Sequence, residues 1–150
     1  DWQPPAVALM LSGETFGYLE PCGCSLTQSG GLERRGHLQR QLTEKGWTVV
    51  GLDAGSTVKR SRRQDQLKFE TILQGLKELG YATVAAGEND LRFPPDYLVG
   101  QFSEGDGIPL GGFLTACNVV LFDSPELGVP KPYRVVEANG VKTVSYTHLT

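Results

Sequence analysis

Short apolar segments of strand length alternate with longer segments of helical spacing along most of this chain. Four segments have the continuous apolar character of strands buried on both faces, and they span residues 6–11, 47–53, 82–86 and 114–121. Helical spacing predicts helices over 31–45 and 64–79 and a short helix that begins at Pro94. Because strands that alternate with helices pair in parallel, this pattern predicts an α/β fold with a largely parallel sheet.

The last part of the chain has a different pattern. Residues 133–137 have strand character and run into Asn139-Gly140, a pair that favours a two-residue hairpin turn. The 19 glycines and 9 prolines among the 150 residues favour tight connections between strands and helices over a helical bundle.

Composition narrows the class of protein further. Hydrophobic residues make up 39% and charged residues 21% of the chain, which predicts a packed core in one domain or part of one. A net charge of -3 provides no basic face of the kind that nucleic-acid binders carry. No run of 18 apolar residues occurs, so no transmembrane helix is predicted. The chain begins at Asp1 without a signal peptide, and we expect it to start within a longer protein or after processing.

Polar residues collect where the predicted strands end. They are Glu14, Cys22 and Cys24 after the first strand, Asp53 and Ser56 at the second, Glu88, Asn89 and Asp90 after the third, and Asn118 at the fourth. Ligand sites in parallel sheets lie at the carboxyl ends of the strands. The sequence therefore predicts a functional site at that edge of the sheet.

Each of these residues also has a structural interpretation. Cys22 and Cys24 form either a redox pair or half of a metal site, or they are two thiols in a tight turn. A disulfide across one intervening residue is strained and readily reduced, which favours the redox interpretation. Asp53 is either a site residue or the cap of a turn. Site, capping and solvated roles all stay open for the acidic residues Glu14, Glu88 and Asp90.

Four further features are interpreted in the same way. Cys117 is expected to be a small core residue, with a place beside the other two cysteines as the alternative. Arg34 and Arg35 either bind an anion near a helix start or form a solvated helix face. His37 lies within a predicted helix and is expected to be structural or exposed. The basic cluster at 59–63 predicts a solvated loop.

Several strand-end segments resemble motifs of the 5′-nucleotidase branch of the calcineurin-like metallophosphoesterases. Glu14-Thr15-Phe16-Gly17-Tyr18-Leu19 resembles Asp-Thr-His-Gly-His-Leu, Leu52-Asp53-Ala54-Gly55-Ser56 resembles Leu-Asp-Ala-Gly-Asp, and Gly87-Glu88-Asn89-Asp90 resembles Gly-Asn-His-Glu. Segments 30–35, 96–98 and 115–119 also resemble family motifs, in the family's order. The resemblance implies a metallophosphoesterase-like sandwich with a mixed, largely parallel sheet flanked by helices, of which residues 1–142 form the N-terminal part.

The resemblance also implies an altered metal centre. Family enzymes hold two divalent metals with Asp, His and Asn ligands and activate a bridging water for attack on phosphorus. The matching positions of this chain carry Glu14 for Asp, Phe16 for His, Ser56 for the bridging Asp, and Glu88 and Asn89 for the Asn-His pair. The candidate metal ligands that remain are Glu14, Asp53, Glu88, Asp90, Cys22 and Cys24. The candidate ligand-binding residues are Asn89, Asn118 and Arg35.

The segment Pro21-Cys22-Gly23-Cys24 resembles a subgroup of secreted or periplasmic bacterial proteins. In that subgroup the domain precedes a multihaem cytochrome c region, and Gly-Gly-Leu with paired Arg and a Gly-Glu-x-Asp motif occur as they do here at 30–35 and 87–90. The resemblance implies a periplasmic or secreted location and an electron-transfer domain in the same protein. No Cys-x-x-Cys-His haem motif occurs in these 150 residues, so haem is expected only in a region beyond them.

Three functional hypotheses follow from the sequence and the resemblance. The first is a degenerate phosphoesterase-like domain that is no standard dimetal phosphohydrolase and has a ligand-, metal- or redox-related role through its Cys-Gly-Cys loop. Its ligand would be a small or phosphate-containing molecule. The alternative is an active metal-dependent phosphoester hydrolase with a remodelled carboxylate and thiolate site. The third is a structural docking module without metal.

Residues 143–150 resemble a translated sequencing adapter. The natural sequence is therefore predicted to stop near Lys142, with a C-terminal portion missing, and His148 is not considered a ligand. The alternative is an ordinary strand, because Val, Tyr and Thr favour strands.

Overall fold

The sequence folds as an alternation of strands and helices in the computed structural model, which describes residues 3–21, 23–24, 28–102 and 113–147. The strands are β1 (Ala8–Ser12), β2 (Val49–Asp53), β3 (Tyr81–Ala85), β4 (Leu114–Thr115), β5 (Arg134–Ala138) and β6 (Val141–Ser145). The α-helices are α1 (Leu32–Glu44), α2 (Arg63–Glu78) and α3 (Pro95–Phe102), and two 3-10 turns span Asp90–Arg92 and Pro125–Leu127.

The first four strands form one parallel sheet in the order β1-β2-β3-β4. The register aligns Ser12 with Asp53 and Asp53 with Val84, so the carboxyl ends of β1, β2 and β3 meet at one edge. The α/β class predicted from the alternation is therefore confirmed. The register shifts after Gly51, where a Cβ would lie 2.6 Å from the ring of Tyr81, so only glycine fits beneath that ring.

Helix α2 packs its apolar stripe into the core of the molecule. Spacing at three and four residues predicts an apolar stripe of Phe69, Ile72, Leu73, Leu76 and Leu79. The first four side chains are fully buried, and Leu79 is partly buried. Each fully buried side chain contributes about 1.5–3 kcal/mol through burial. The ring of Phe69 also lies 5.2 Å from that of Phe93 and 6.5 Å from that of Tyr97, centroid to centroid, which joins α3 to α2.

Helix α1 lies against α2 through two glycines. A Cβ on Gly36 would lie 2.8 Å from Leu79 Cδ2, and a Cβ on Gly75 would lie 3.0 Å from Leu32 Cδ1. The absence of side chains at these positions lets the two helices approach closely. The sequence of α1 predicts that Leu32, Leu38 and Leu42 lie near one face. For Leu38 this prediction is wrong, because Leu38 is 48% exposed. At about 100° per residue, Leu38 points away from the face that Leu32 and Gly36 share.

The fourth strand is much shorter than predicted. It contains only Leu114 and Thr115, whereas the apolar run predicted a strand over 114–121. The Ala116 N–H donates to the carbonyl of Lys131 at 2.9 Å, so a later segment continues the sheet edge. The run then breaks into turns, with positive φ angles at Phe122 and Asp123. Apolar character alone did not predict this turn, because Leu121 is buried from a loop and not from a strand.

Strands β5 and β6 form an antiparallel hairpin. Asn139 and Gly140 join them with φ angles of 46° and 77°, which confirms the hairpin turn predicted from this pair. The Asn139 side-chain amide donates to the carbonyl of Ala6 at 2.9 Å and so holds the turn beside the start of β1. Strand β6 includes residues 143–145, which agrees with the strand alternative for this segment. The adapter origin of 143–150 stays a prediction, and His148 lies outside the described residues.

One face of the parallel sheet is only partly covered. Leu9 and Leu11 of β1 alternate with inward-facing residues and are 46% and 72% exposed. A cleft lined by Leu11, Leu52, Val144 and Tyr146 separates this face from the hairpin. Within the described ranges, none of the helices has the length and apolar character that a membrane crossing needs.

Candidate functional site

The loops that follow β1 and β2 run side by side at the carboxyl edge of the sheet. Backbone N–H groups of the first loop donate to carbonyls of the second in an ordered series: Glu14 to Gly55 at 2.8 Å, Phe16 to Ser56 at 3.1 Å, and Gly17 to Thr57 at 2.7 Å. Glu14, Phe16 and Ser56 all have positive φ angles, between 50° and 55°. L-residues adopt this conformation rarely, so the hydrogen bonds between the loops hold a strained backbone.

The loop after β2 also contacts the loop after β3. A Cβ on Gly55 would lie 2.3 Å from the carbonyl oxygen of Ala85, and a Cβ on Gly87 would lie 2.2 Å from the Ser56 nitrogen. Both positions therefore require glycine, since any side chain would overlap the neighbouring backbone. Because Gly55 and Gly87 have no side chains, the loop after β2 can lie directly against the end of β3 and the loop that follows it.

Asp53 is buried at the end of β2, with a fully buried side chain. Its Oδ1 accepts a hydrogen bond from the Gly55 N–H at 2.9 Å. Its Oδ2 accepts one from the Ser12 hydroxyl at 2.5 Å and lies 3.5 Å from Nη1 of Arg35. A carboxylate that is buried from solvent needs a compensating positive charge, and Arg35 supplies it.

Arg35 reaches this carboxylate from helix α1. Its Nη1 also donates to Ser12 Oγ at 3.2 Å, and its Nη2 donates to the buried Thr15 Oγ1 at 3.3 Å. Ser12 Oγ lies a further 3.2 Å from Tyr81 Oη. These contacts join Arg35, Asp53, Ser12, Thr15 and Tyr81 into one network. The side chain of Arg35 is 20% exposed, whereas that of Asp53 is fully buried, so the network reaches solvent at Arg35 and not at Asp53.

Asp90 clamps the loop after β2 to the loop after β3. Its Oδ1 accepts hydrogen bonds from the Thr57 N–H at 2.9 Å, the Thr57 hydroxyl at 2.6 Å and the Val58 N–H at 3.3 Å. Its Oδ2 accepts one from the Gly87 N–H at 3.0 Å. Burial raises the pKa of Asp90 above its ordinary value, although the hydrogen bonds from Thr57, Gly87 and Val58 act in the opposite direction.

The other predicted carboxylates and amides lie outside this buried network. Glu14 and Glu88 are exposed, and Glu88 forms a surface ion pair with Arg92 at 2.5 Å, within one helical turn. Such exposed pairs contribute little to stability. Asn89 is partly buried and precedes the 3-10 turn at Asp90–Arg92, and Asn118 is exposed after β4.

The cysteine loop closes back on itself beside helix α1. The Leu32 N–H donates to the carbonyl of Leu19 at 2.9 Å, so the two ends of the loop meet. The Gly23 N–H donates to Gln28 Oε1 at 2.8 Å, and the Arg34 guanidinium donates to the Gln28 carbonyl. Helix α1 therefore positions the part of the loop next to Cys24.

The structure describes two of the three cysteines, and both are exposed. Cys24 is exposed in its loop, and Cys117 is exposed after β4, so the prediction that Cys117 is a core residue is wrong. Strand β4 ends at Thr115, and two residues later the Cys117 N–H donates to the carbonyl of Thr147 at 2.9 Å, outside the parallel sheet. Cys22 lies outside the described residues.

The donor groups do not fit the pair of metals that the resemblance implies. Asp53 and Asp90 each use both carboxylate oxygens for hydrogen bonds within the protein. Phe16, where the resemblance implies a histidine ligand, has no side-chain donor atom. In the part of the chain that the structure describes, no group of three or more His, Cys, Asp or Glu side chains is placed to share one ion. A metal role for Glu14, Asp53, Glu88, Asp90, Cys22 or Cys24 stays a prediction.

Several members of the network were not expected from the sequence. The sequence predicted Arg35 as a ligand-binding residue but did not predict its ion pair with Asp53. It also did not predict that Ser12, Thr15 and Tyr81 take part in the same network. One signal was available: an arginine near the N-terminus of a helix opposes the helix dipole and therefore needs an acidic partner. His37 lies on α1, is exposed and contacts Gln41 across 2.9 Å, as predicted for a residue without a site role.

No protein-family model matches the chain, and no curated protein matches it significantly.

Proposed function

We propose that this chain is a degenerate domain of the metallophosphoesterase type that does not hydrolyse phosphoesters with a pair of metals. The observation that carries the proposal is that Asp53, in the segment that resembles the family's Leu-Asp-Ala-Gly-Asp motif, pairs with Arg35 and Ser12, while Ser56 stands where the resemblance implies the bridging Asp. A catalytic metal needs carboxylate oxygens directed at an open position, with a water beside it. In this chain the Asp53 oxygens are directed at the protein's own donors.

The proposed role belongs to the Cys-Gly-Cys loop, which acts in redox chemistry or in binding a ligand or metal. Cys24 is exposed, and its loop is held by Gln28 and Arg34. The thiolate is the reactive form of a cysteine, and it forms most readily at an exposed position such as this one. The likeness of the Pro21–Cys24 segment to periplasmic proteins with a multihaem region supports an electron-transfer domain as the partner of this loop.

The hydrolytic part of the proposal is tested with phosphoester substrates. Purified protein is incubated with a nucleoside monophosphate and with bis-p-nitrophenyl phosphate, in the presence of Mg²⁺, Mn²⁺ or Zn²⁺, and released product is measured. We expect rates equal to those of buffer with metal. A metal-dependent rate that disappears in Asp53→Asn would contradict the proposal, because it would assign Asp53 to a working metal site.

The role of the loop is tested with single cysteine variants. Cys24→Ser and Cys22→Ser are compared with Cys117→Ser, the matched control in another part of the fold. We expect the two loop variants, and not the control, to lose reactivity toward a thiol-specific reagent that senses a low-pKa thiolate, or to change the redox titration of the protein. Equal behaviour of all three variants would point to the docking module instead.

A remodelled hydrolase is the second candidate function. The observation that favours it is the exposure of Glu14, which lies at the strand edge with a φ angle of 53° and outside the Arg35 network. Carboxylate and thiolate ligands would then hold a single metal. Metal analysis of the wild type, Cys22→Ser and Cys24→Ser discriminates the candidates, because unchanged metal content in both variants argues against thiolate ligation.

A further inference from the structure

We propose that a second copy of this chain binds at the outer edge of β1, where the two β1 strands pair antiparallel. Strand β1 lies at the edge of the parallel sheet, and in the described part of the chain it pairs only with β2. A strand at a sheet edge presents backbone N–H and C=O groups that can bind another strand. The dimer is independent of the role proposed for the Cys-Gly-Cys loop, so the two proposals can fail separately.

The pairing of β1 with β2 determines which backbone groups of β1 face outward. The Ala8 N–H and the Ser12 carbonyl form hydrogen bonds of 2.8 Å and 2.7 Å with backbone groups that flank β2. Backbone groups of successive residues point to alternate sides of a strand, so those of Leu9 and Leu11 are directed away from β2. Within the described ranges no other strand lies against that side of β1. Leu9 and Leu11 therefore carry the groups that a further strand would bind.

The sequence of this edge lacks the features that normally keep strands from pairing edge to edge. Native edges are protected by charged side chains, prolines or bulges. Residues 6–12 read Ala-Val-Ala-Leu-Met-Leu-Ser, without a charge or a proline, and the register of β1 on β2 is regular along β1. Leu9 and Leu11 are also 46% and 72% exposed on one face. A neutral and apolar edge of this kind favours a partner strand that is itself neutral and apolar.

Strand β1 meets that requirement itself when the pairing is centred on Met10. A two-fold axis at Met10 places Leu9 of each copy opposite Leu11 of the other, so that the outward backbone groups exchange both hydrogen bonds. The leucine side chains of both copies then lie together on one face. The first charge after the strand, Glu14, falls near Ala6 of the other copy and not near another charge. The edge is therefore complementary to itself in hydrogen bonding, apolar contact and charge.

Sedimentation velocity over a range of protein concentrations tests the pairing. One strand buries less area than a standard interface, so we expect a dimer with a Kd on the order of 10–100 μM. Leu11→Lys places two like charges about 7–8 Å apart across the pair and should weaken the dimer at least about tenfold. Leu67→Lys is the matched control, because Leu67 is a 51% exposed leucine of α2, and it should leave the Kd unchanged. A wild type that stays monomeric, an assembly that grows beyond a dimer, or equal Kd values for the two variants would overturn the proposal.

Amide hydrogen exchange of the wild type decides the proposal even if Leu11→Lys does not fold. The amides of Leu9 and Leu11 should exchange rapidly at low protein concentration and become protected at high concentration, because the partner strand supplies their acceptors. The Ala8 amide already donates to the Thr48 carbonyl and should be protected at both concentrations. Exchange of Leu9 and Leu11 that does not depend on protein concentration would overturn the proposal.

Discussion

Replacement of Asp90 with alanine is the most severe test of how the strand-end loops are held together. The Asp90 carboxylate is 1% exposed and accepts four hydrogen bonds, three of them from the loop after β2 and one from Gly87 after β3. In Asp90→Ala all four donors remain, but they have no acceptor. A buried donor without a partner costs more than the hydrogen bond itself contributed.

The expected loss follows from the number of donors. At about 1–3 kcal/mol for each unsatisfied buried group, the four donors predict a loss of about 4 kcal/mol or more in the free energy of unfolding. This is a large part of the total for a typical domain, which is about 5–15 kcal/mol. Asp90→Asn keeps the carbonyl oxygen for Thr57 and Val58 but places an amide against the Gly87 N–H, and we expect it to cost about 1 kcal/mol.

Urea unfolding at pH 7 measures these differences. Asp96→Ala provides the control, because Asp96 is an exposed carboxylate of the same type on α3 and should lose at most about 0.5 kcal/mol. The reasoning is refuted if Asp90→Ala lies within about 1 kcal/mol of the wild type, or if it equals Asp90→Asn. Either result would mean that water or a loop shift satisfies the donors.

Three other predictions concern the pH dependence of the Asp90 contribution, the close backbone approach at Gly55 and the hydrogen bond of Tyr97. Because burial raises the pKa of Asp90 above its ordinary value of 3.8, its contribution to the free energy of unfolding is complete below that value and declines as the pH rises through the folded-state pKa. The stability advantage of the wild type over Asp90→Asn should therefore be smaller at pH 7 than near pH 4, as measured by urea unfolding across that range. Gly55→Ala should cost at least about 2 kcal/mol more than Gly46→Ala, because both positions have positive φ but only Gly55 has backbone within 4 Å of the added Cβ; equal losses would count against the close approach of the loops. Tyr97→Phe should lose about 1 kcal/mol with its 2.9 Å hydrogen bond to Glu70, whereas Tyr18→Phe should change little because Tyr18 is 63% exposed, and chemical denaturation distinguishes the two.

The regular part of the fold was predictable because its signals are local. The apolar runs of β1, β2 and β3 and the stripe of α2 depend on residue spacing within one element. The hairpin turn was predictable for the same reason, since Asn139 and Gly140 both adopt the positive φ angles that these two residue types tolerate. The length of β4 was not predictable, because after Thr115 the backbone N–H groups of Ala116 and Cys117 donate to Lys131 and Thr147, which are remote in sequence.

Residue order by itself determined that strands alternate with helices and that polar groups follow each strand, and these two facts predicted the edge at which a site would lie. Only the tertiary structure decided what those groups do there. Asp53 was interpreted as a site residue or a turn cap. Its Oδ1 does cap the turn through the Gly55 N–H, and the close packing of α1 brings Arg35 to its Oδ2. Asp90 was one of three similar acidic residues, and the approach of Gly55 to Gly87 makes it the acceptor for four donors. The physical reason is that charge compensation and hydrogen-bond satisfaction depend on distances across the sheet edge, which spacing along the chain does not specify.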